Sequence, residues 1–161
     1  MKKSSSPNSV LRALASGFTG AVVVTLIHET VRRVRPTDAP RMDILGERGL
    51  RKILRAADAP QPDASNAYGL TLAGDILSNG LYYSLVGSGR GVWWRGAALG
   101  LAAGIGGVTL PGPLGLGNGP SNRTPQTRAM TVAWYLVGGL VAAATALWVH
   151  PSAKMKSGIE R

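Results

Sequence analysis

The 161-residue sequence has no cysteine, one phenylalanine, two histidines, and eight acidic residues against 18 lysines and arginines. Without cysteine there are no disulfides, thiolate metal sites or thiol nucleophiles. A single phenylalanine beside 22 glycines leaves few bulky core residues, so close backbone approach must supply much of the packing. The shortage of acids leaves a net charge of +10, concentrated in the ends and connecting segments. There each basic residue can meet anionic lipid headgroups for about 1 kcal/mol. No run of lysine and arginine interleaved with aromatics accompanies this charge, and a nucleic-acid interface is not expected.

What is present is apolar sequence in long blocks separated by charged segments, the pattern of an all-α integral membrane protein. Four transmembrane helices are expected, near residues 10–34, 67–87, 92–110 and 128–149, forming a four-helix bundle as one membrane domain over residues 1–161. Ala129 to Val149 runs 21 residues without a charge, enough for the roughly 30 Å hydrocarbon core. Trp134 and Tyr135 toward one end and Trp148 at the other suit interfacial belts. The third block starts behind Trp93, Trp94 and Arg95 and stops at Pro111. The first has only 15 uncharged residues, Ala13 to Ile27, and spans if it continues through His28 and Glu29. Lys2 and Lys3 before it suggest a secretory signal, but Arg12 abuts the run and no small-x-small cleavage site follows. In the second block Asp75 separates uncharged runs of 11 and 14 residues. The short GSGRG sequence after it predicts a tight turn pairing this helix with the next.

Between the first two blocks, RMDILGERGLRKILRAA has helical period. Met42, Leu45, Leu50, Ile53, Leu54 and Ala57 share one face, while Arg48, Lys52 and Arg55 lie opposite. This predicts an interfacial amphipathic helix over 41–57, apolar face toward lipid. The termini and short turn carry eight basic residues and the longer loops ten, so charge orients the bundle weakly. Arg32, Arg33 and Arg35 against Arg12 favour cytoplasmic long loops.

Helical rise places His28 roughly 6 Å and Asp75 roughly 10 Å below the long-loop surface. Gly17, Ala21 and Val24 share a face with His28, directing the imidazole into the bundle, whereas Glu29 turns toward Arg32 and Arg33. Thr71, Asp75, Asn79 and Tyr82 form a polar stripe that must face protein. His28 is the expected partner of Asp75, with Arg32 next. The pair is either an interhelical clamp or an intramembrane proton-handling site.

Gly96, Gly100 and Gly104 recur at four-residue spacing, and Gly138 with Ala142 and Ala146 repeats the pattern, as helix-packing stripes do. LPGPLGLGNGPSNRTP is expected to be a flexible or shallow re-entrant loop. HETVR begins like an H-E-x-x-H zinc motif, but Arg32 occupies the second ligand position. His28 and His150 fall at opposite membrane faces, so a bis-histidine haem is excluded within one chain. No metal, cofactor or enzymatic constellation is expected. The architecture resembles small bacterial inner-membrane proteins, without a diagnostic motif. The expected role is that of a non-enzymatic, multi-pass structural or accessory subunit of the inner membrane, contacting lipid and a membrane-protein partner or its own copy. A small transporter or proton-coupled channel using Asp75 and His28 is the alternative.

Overall fold

The computed structural model describes residues 7–149, which form six α-helices and, among the described residues, no strand. His150 and the basic residues Lys2, Lys3, Lys154, Lys156 and Arg161 lie outside the described residues. The helices are α1 (Pro7–Val34), α2 (Met42–Ala56), α3 (Ala64–Tyr83), α4 (Val92–Thr109), α5 (Gly119–Asn122) and α6 (Pro125–Val149). Their limits follow local chemistry. Asp63 caps α3 by accepting the Asn66 N–H at 2.9 Å, satisfying one of the donors that a helix start leaves open. Thr124 accepts the Thr127 N–H at 3.0 Å ahead of Pro125, which suits a first helical position. Pro111 follows the end of α4.

After α3, a single 3-10 turn (Ser84–Val86) leads into the hairpin, where Gly87, Gly89 and Gly91 all have positive φ. Arg95 holds this turn. Its guanidinium donates to the carbonyls of Val86 (2.6 Å), Ser88 (2.8 Å) and Arg90 (3.1 Å), using the several donors that only arginine has in one plane.

The contacts make an up-down-up-down bundle. Gly17 of α1 meets Gly80 of α3 and Ser84 of the turn that follows it, while Thr25 meets Asp75 further along. Gly20 of α1 lies against Gly138 and Ala142 of α6, and Gly96, Gly100 and Gly104 of α4 descend α6 from Gly139 to Val132. Each of these pairs is antiparallel. The spatial order is α3, α1, α6, α4, with α1 and α6 as the central pair. The core between them is built from small residues, Ala21, Ala142, Ala143 and Ala146, around Val24 and the fully buried Tyr83.

Two expectations are corrected here. The tight turn joins α3 to α4, but the helices scarcely pack: α4 lies on α6 and α3 on α1, because glycines face α6 from α4 and face α1 from α3. Tyr82 bridges them, its hydroxyl donating to the Leu99 carbonyl at 3.0 Å. The segment expected to be a loop throughout contains α5, tied down by the Arg41 N–H donating to the Pro120 carbonyl at 2.8 Å.

Two helices, α1 and α6, are long and apolar enough to cross a membrane, and only 33% of the most apolar window of each is buried. The other two fall short for identifiable reasons. α3 carries Asp75 within a polar stripe; α4 has 18 residues, five of them glycine, and Arg95 in its first turn.

Candidate functional site beneath the long-loop surface

The residues read as a polar cluster converge only in part. His28, Thr71 and Asp75 line one small cavity between α1 and α3, together with Thr25, Tyr68 and Met42. Its volume is about 20 Å³, room for one water molecule. Asn79 lies one turn along α3, outside the cavity, and donates to Asp75 Oδ1 at 2.9 Å. Tyr82 is further still and faces α4.

His28 does not bond Asp75. The Asp75 Oδ2 accepts instead from the Thr25 hydroxyl at 3.0 Å. The depths read for His28 and Asp75 differ by roughly 4 Å, about three residues of rise, and Thr25 lies three residues before His28 on the same helix face. A short β-hydroxyl at the right level displaces an imidazole one turn too high. His28 is buried, with both ring nitrogens lacking a hydrogen-bond partner among the described residues. Its ring packs edge-on against Trp134 and Tyr135, with centroids 5.3 and 5.5 Å away. Thr71 Oγ1 is likewise buried and unpartnered, while its methyl lies where a side chain on Gly46 would fall, so α2 sits close on α3 at this point. The Thr71 hydroxyl and the His28 ring give this cavity polar walls, the setting that a buried water requires.

Above the cavity lies a charged lid. Arg32 donates to both Glu29 oxygens, at 2.9 and 2.6 Å, and to the Tyr68 hydroxyl at 3.1 Å; that hydroxyl donates to Glu29 at 2.8 Å. Arg32 also approaches Asp43 to 3.9 Å. Burial pushes the Asp43 carboxyl up, but hydrogen bonds from the Arg41 guanidinium, with the Ile44 N–H and Arg32, hold it below the usual aspartate value. The lid therefore ties α1 to α2 by an ion pair and to α3 by the hydrogen bonds of Tyr68. The expected neutralisation of Glu29 within its own helix is present, but the contribution of Tyr68 from α3 was not read, because a tyrosine near a helix start carries no signal for a specific partner.

Asp75 also borders a second, larger space. A cleft of about 750 Å³ lies between α3 and α4, lined by Asp75, Ser78, Asn79 and Tyr82 on one side and Ala102 and Gly106 on the other. Tyr135 of α6 forms part of its wall, and Met42, Leu45 and Gly46 of α2 border one end. Tyr135, expected in an interfacial belt, is buried; its carbonyl accepts the Tyr83 hydroxyl at 2.8 Å. Tyr83 was missed in favour of its neighbour Tyr82, which lies on the polar stripe.

The glycines singled out as packing residues lie at helix contacts. Gly96, Gly100 and Gly104 are buried against α6, Gly17 against α3, and Gly138 against Val24 and Tyr83. Gly20, Gly80 and Gly139 do the same and were not singled out, though Gly20 is one helical turn from Gly17. Among the described residues no three histidine, aspartate or glutamate side chains are grouped to hold a metal ion.

No protein-family model matches the chain, and neither a curated protein nor a solved structure matches it.

Proposed function

We propose that the chain is a four-span membrane protein of the inner membrane, in which α1, α3, α4 and α6 all cross the bilayer, and that it serves as a non-enzymatic accessory subunit. The observation that carries the membrane assignment is an inverted distribution of side chains. Ser16, Thr25, His28, Thr71, Thr127 and Thr131 are buried, while large apolar residues face outward. These include Leu26 on α1 (59% exposed), Leu77 on α3 (54%) and Ile105 on α4 (53%). A water-soluble bundle turns leucine inward, whereas lipid exerts no such demand and polar groups must find protein. The pattern supports α3 and α4 as spans despite their weaker sequences.

The accessory role is supported by the long-loop side. Thr127 donates to the Asp38 carbonyl at 2.9 Å and Arg123 to the Thr37 carbonyl, so this face is a built surface. It presents the second half of α2, with Ile53 69% exposed beside basic side chains. Such a face fits a membrane-protein partner at the headgroup level. A second reading, proton-coupled transport, is favoured by one observation: Asp75 lines both the small polar cavity and the open α3–α4 cleft. An acid between two compartments is where a proton relay would stand.

One preparation tests both. The protein should stay with membranes washed in alkaline carbonate, and release by that wash would overturn the four-span assignment. Pull-down from those membranes in mild detergent should yield a stoichiometric partner. A homo-oligomer alone would move the assignment to transport.

A further inference from the structure

We propose that the groove between α2 and the glycine-rich loop after α4 binds the phosphate of an anionic phospholipid, with an acyl chain lying in the α3–α4 cleft. This rests on the membrane assignment above. The groove, about 340 Å³, is lined by Arg48, Arg51, Lys52, Arg55, Gly115 and Leu116. Of its four cations one is neutralised, Arg51 by Glu47 at 2.9 Å. Arg48 and Lys52 donate to the carbonyls of Leu116 and Leu114, both at 2.6 Å, which position their charges without cancelling them. Arg55 has no partner among the described residues. Three uncompensated cations around one groove call for an anion, and arginine supplies a donor fork matched to the paired oxygens of a phosphodiester.

The loop is shaped to the basic groups. Gly115 and Gly117 have φ of +70° and +84°, a region L side chains rarely adopt. A Cβ on Gly117 would lie 2.8 Å from Arg48 Nη1, and one on Gly115 3.3 Å from Lys52 Nζ. Glycine at both positions lets the cationic heads rest on the backbone.

The surroundings favour a lipid over free phosphate. Leu114, whose carbonyl takes Lys52, also lines the cleft with Leu110 and Pro111. On α2, Met42 and Leu45 border the cleft, and Arg48 and Lys52, three and seven residues after Leu45, follow it along the edge of the charged face into the groove. A polar site thus opens beside a channel between α3 and α4 whose α4 wall and near end, Ala102, Ala103, Leu110, Pro111 and Leu114, are apolar, the two-part shape of a phospholipid.

The test is native mass spectrometry of the detergent-purified full chain with phosphatidylglycerol, phosphatidylcholine or inorganic phosphate. Phosphatidylglycerol should be retained over phosphatidylcholine and resist displacement by inorganic phosphate. Arg55→Gln, at a side chain without a partner in the fold, should weaken that retention about fivefold, as should Lys52→Gln, with phosphatidylcholine unaffected. Ala102→Phe, which narrows the cleft, should also lower it. Equal retention of the two lipids, or unchanged phosphatidylglycerol retention in the charge variants, would overturn the site. Displacement by inorganic phosphate, or indifference to Ala102→Phe, would overturn the lipid as occupant. Carbonate release in the experiment above would sink the four-span assignment itself, whereas lost lipid selectivity in a carbonate-resistant protein sinks only this site.

Discussion

Between α4 and α6 the backbones meet at Gly96, Gly100 and Gly104, and among the described residues no side-chain hydrogen bond joins the two helices. Between α1 and α3 the arrangement differs: Gly17 and Gly80 bring one end together, then Thr25 meets Asp75 and Glu29 meets Tyr68 around a cavity. The first seam is held by dispersion alone, which demands shape and tolerates no added atom. The second buries polar groups whose desolvation must be offset by hydrogen bonds, a costly way to join helices that glycine could join more simply. The contrast teaches where chemistry can reside. A dry glycine seam has nothing to titrate or exchange, whereas the α1–α3 seam holds an acid, an imidazole and room for water.

The largest effect should come from breaking the dry seam. A Cβ on Gly100 would lie 2.7 Å from the Leu136 Cα and the Tyr135 carbonyl oxygen. Backbone cannot yield there as a flexible side chain can. Gly100→Ala should cost about 1–3 kcal/mol, and Gly100→Leu should leave no monodisperse protein on size-exclusion chromatography. A Gly100→Leu protein that elutes and melts like the parent would show that α4 and α6 do not depend on this approach.

At the polar seam, Asp75→Asn keeps the size and the hydrogen-bonding capacity of the side chain. The cost to thermal stability in detergent should be about 1 kcal/mol. If the residue is a clamp, the host-cell function of the protein survives. Loss of that function with expression and melting unchanged would instead assign Asp75 to proton or cation handling. A folded variant with full function would leave it as architecture.

The smallest effect belongs to Thr25→Val, which preserves shape and removes the donor to Asp75. Interhelical hydrogen bonds of this kind average about 0.6 kcal/mol in membranes. A double-mutant cycle with Asp75→Asn, read by thermal melting, should return a coupling of that order. A coupling indistinguishable from zero would mean the 3.0 Å contact contributes nothing to the seam.

The helices themselves were legible in the sequence because charge interrupts each apolar block. α4 starts at Val92 and α1 ends at Val34 as read; α3 begins at Ala64 rather than 67, where Asp63 caps it. Periodicity also identified which side of each helix is buried for His28, Asp75 and the α4 glycines. It could not say which helix lies opposite. The turn suggested that α3 packs on α4, but spacing along one helix carries no record of its neighbour, and α1 and α6 intervene. Thr25 was overlooked for the same reason: within an apolar run its methyl reads as one more β-branched residue, and only the partner at its level shows that the hydroxyl is used. α5, at four residues, is too short to have a period.

The spatial order α3, α1, α6, α4 also bears on how the chain can be assembled. α1 precedes α3, α4 and α6 in the chain, so its glycine-lined contact with α6 becomes available only after α3 and α4 have been made. Until then the buried face of α1 has only α3 to cover it, so Thr25 and Asp75 can find each other while α4 and α6 are still to come. The protein is thus two hairpins in series, a polar one made early and a glycine-seamed one made late. The central Gly20–Gly138 junction joins finished halves. A bundle built in this order keeps its acid partnered from the moment both of its helices exist.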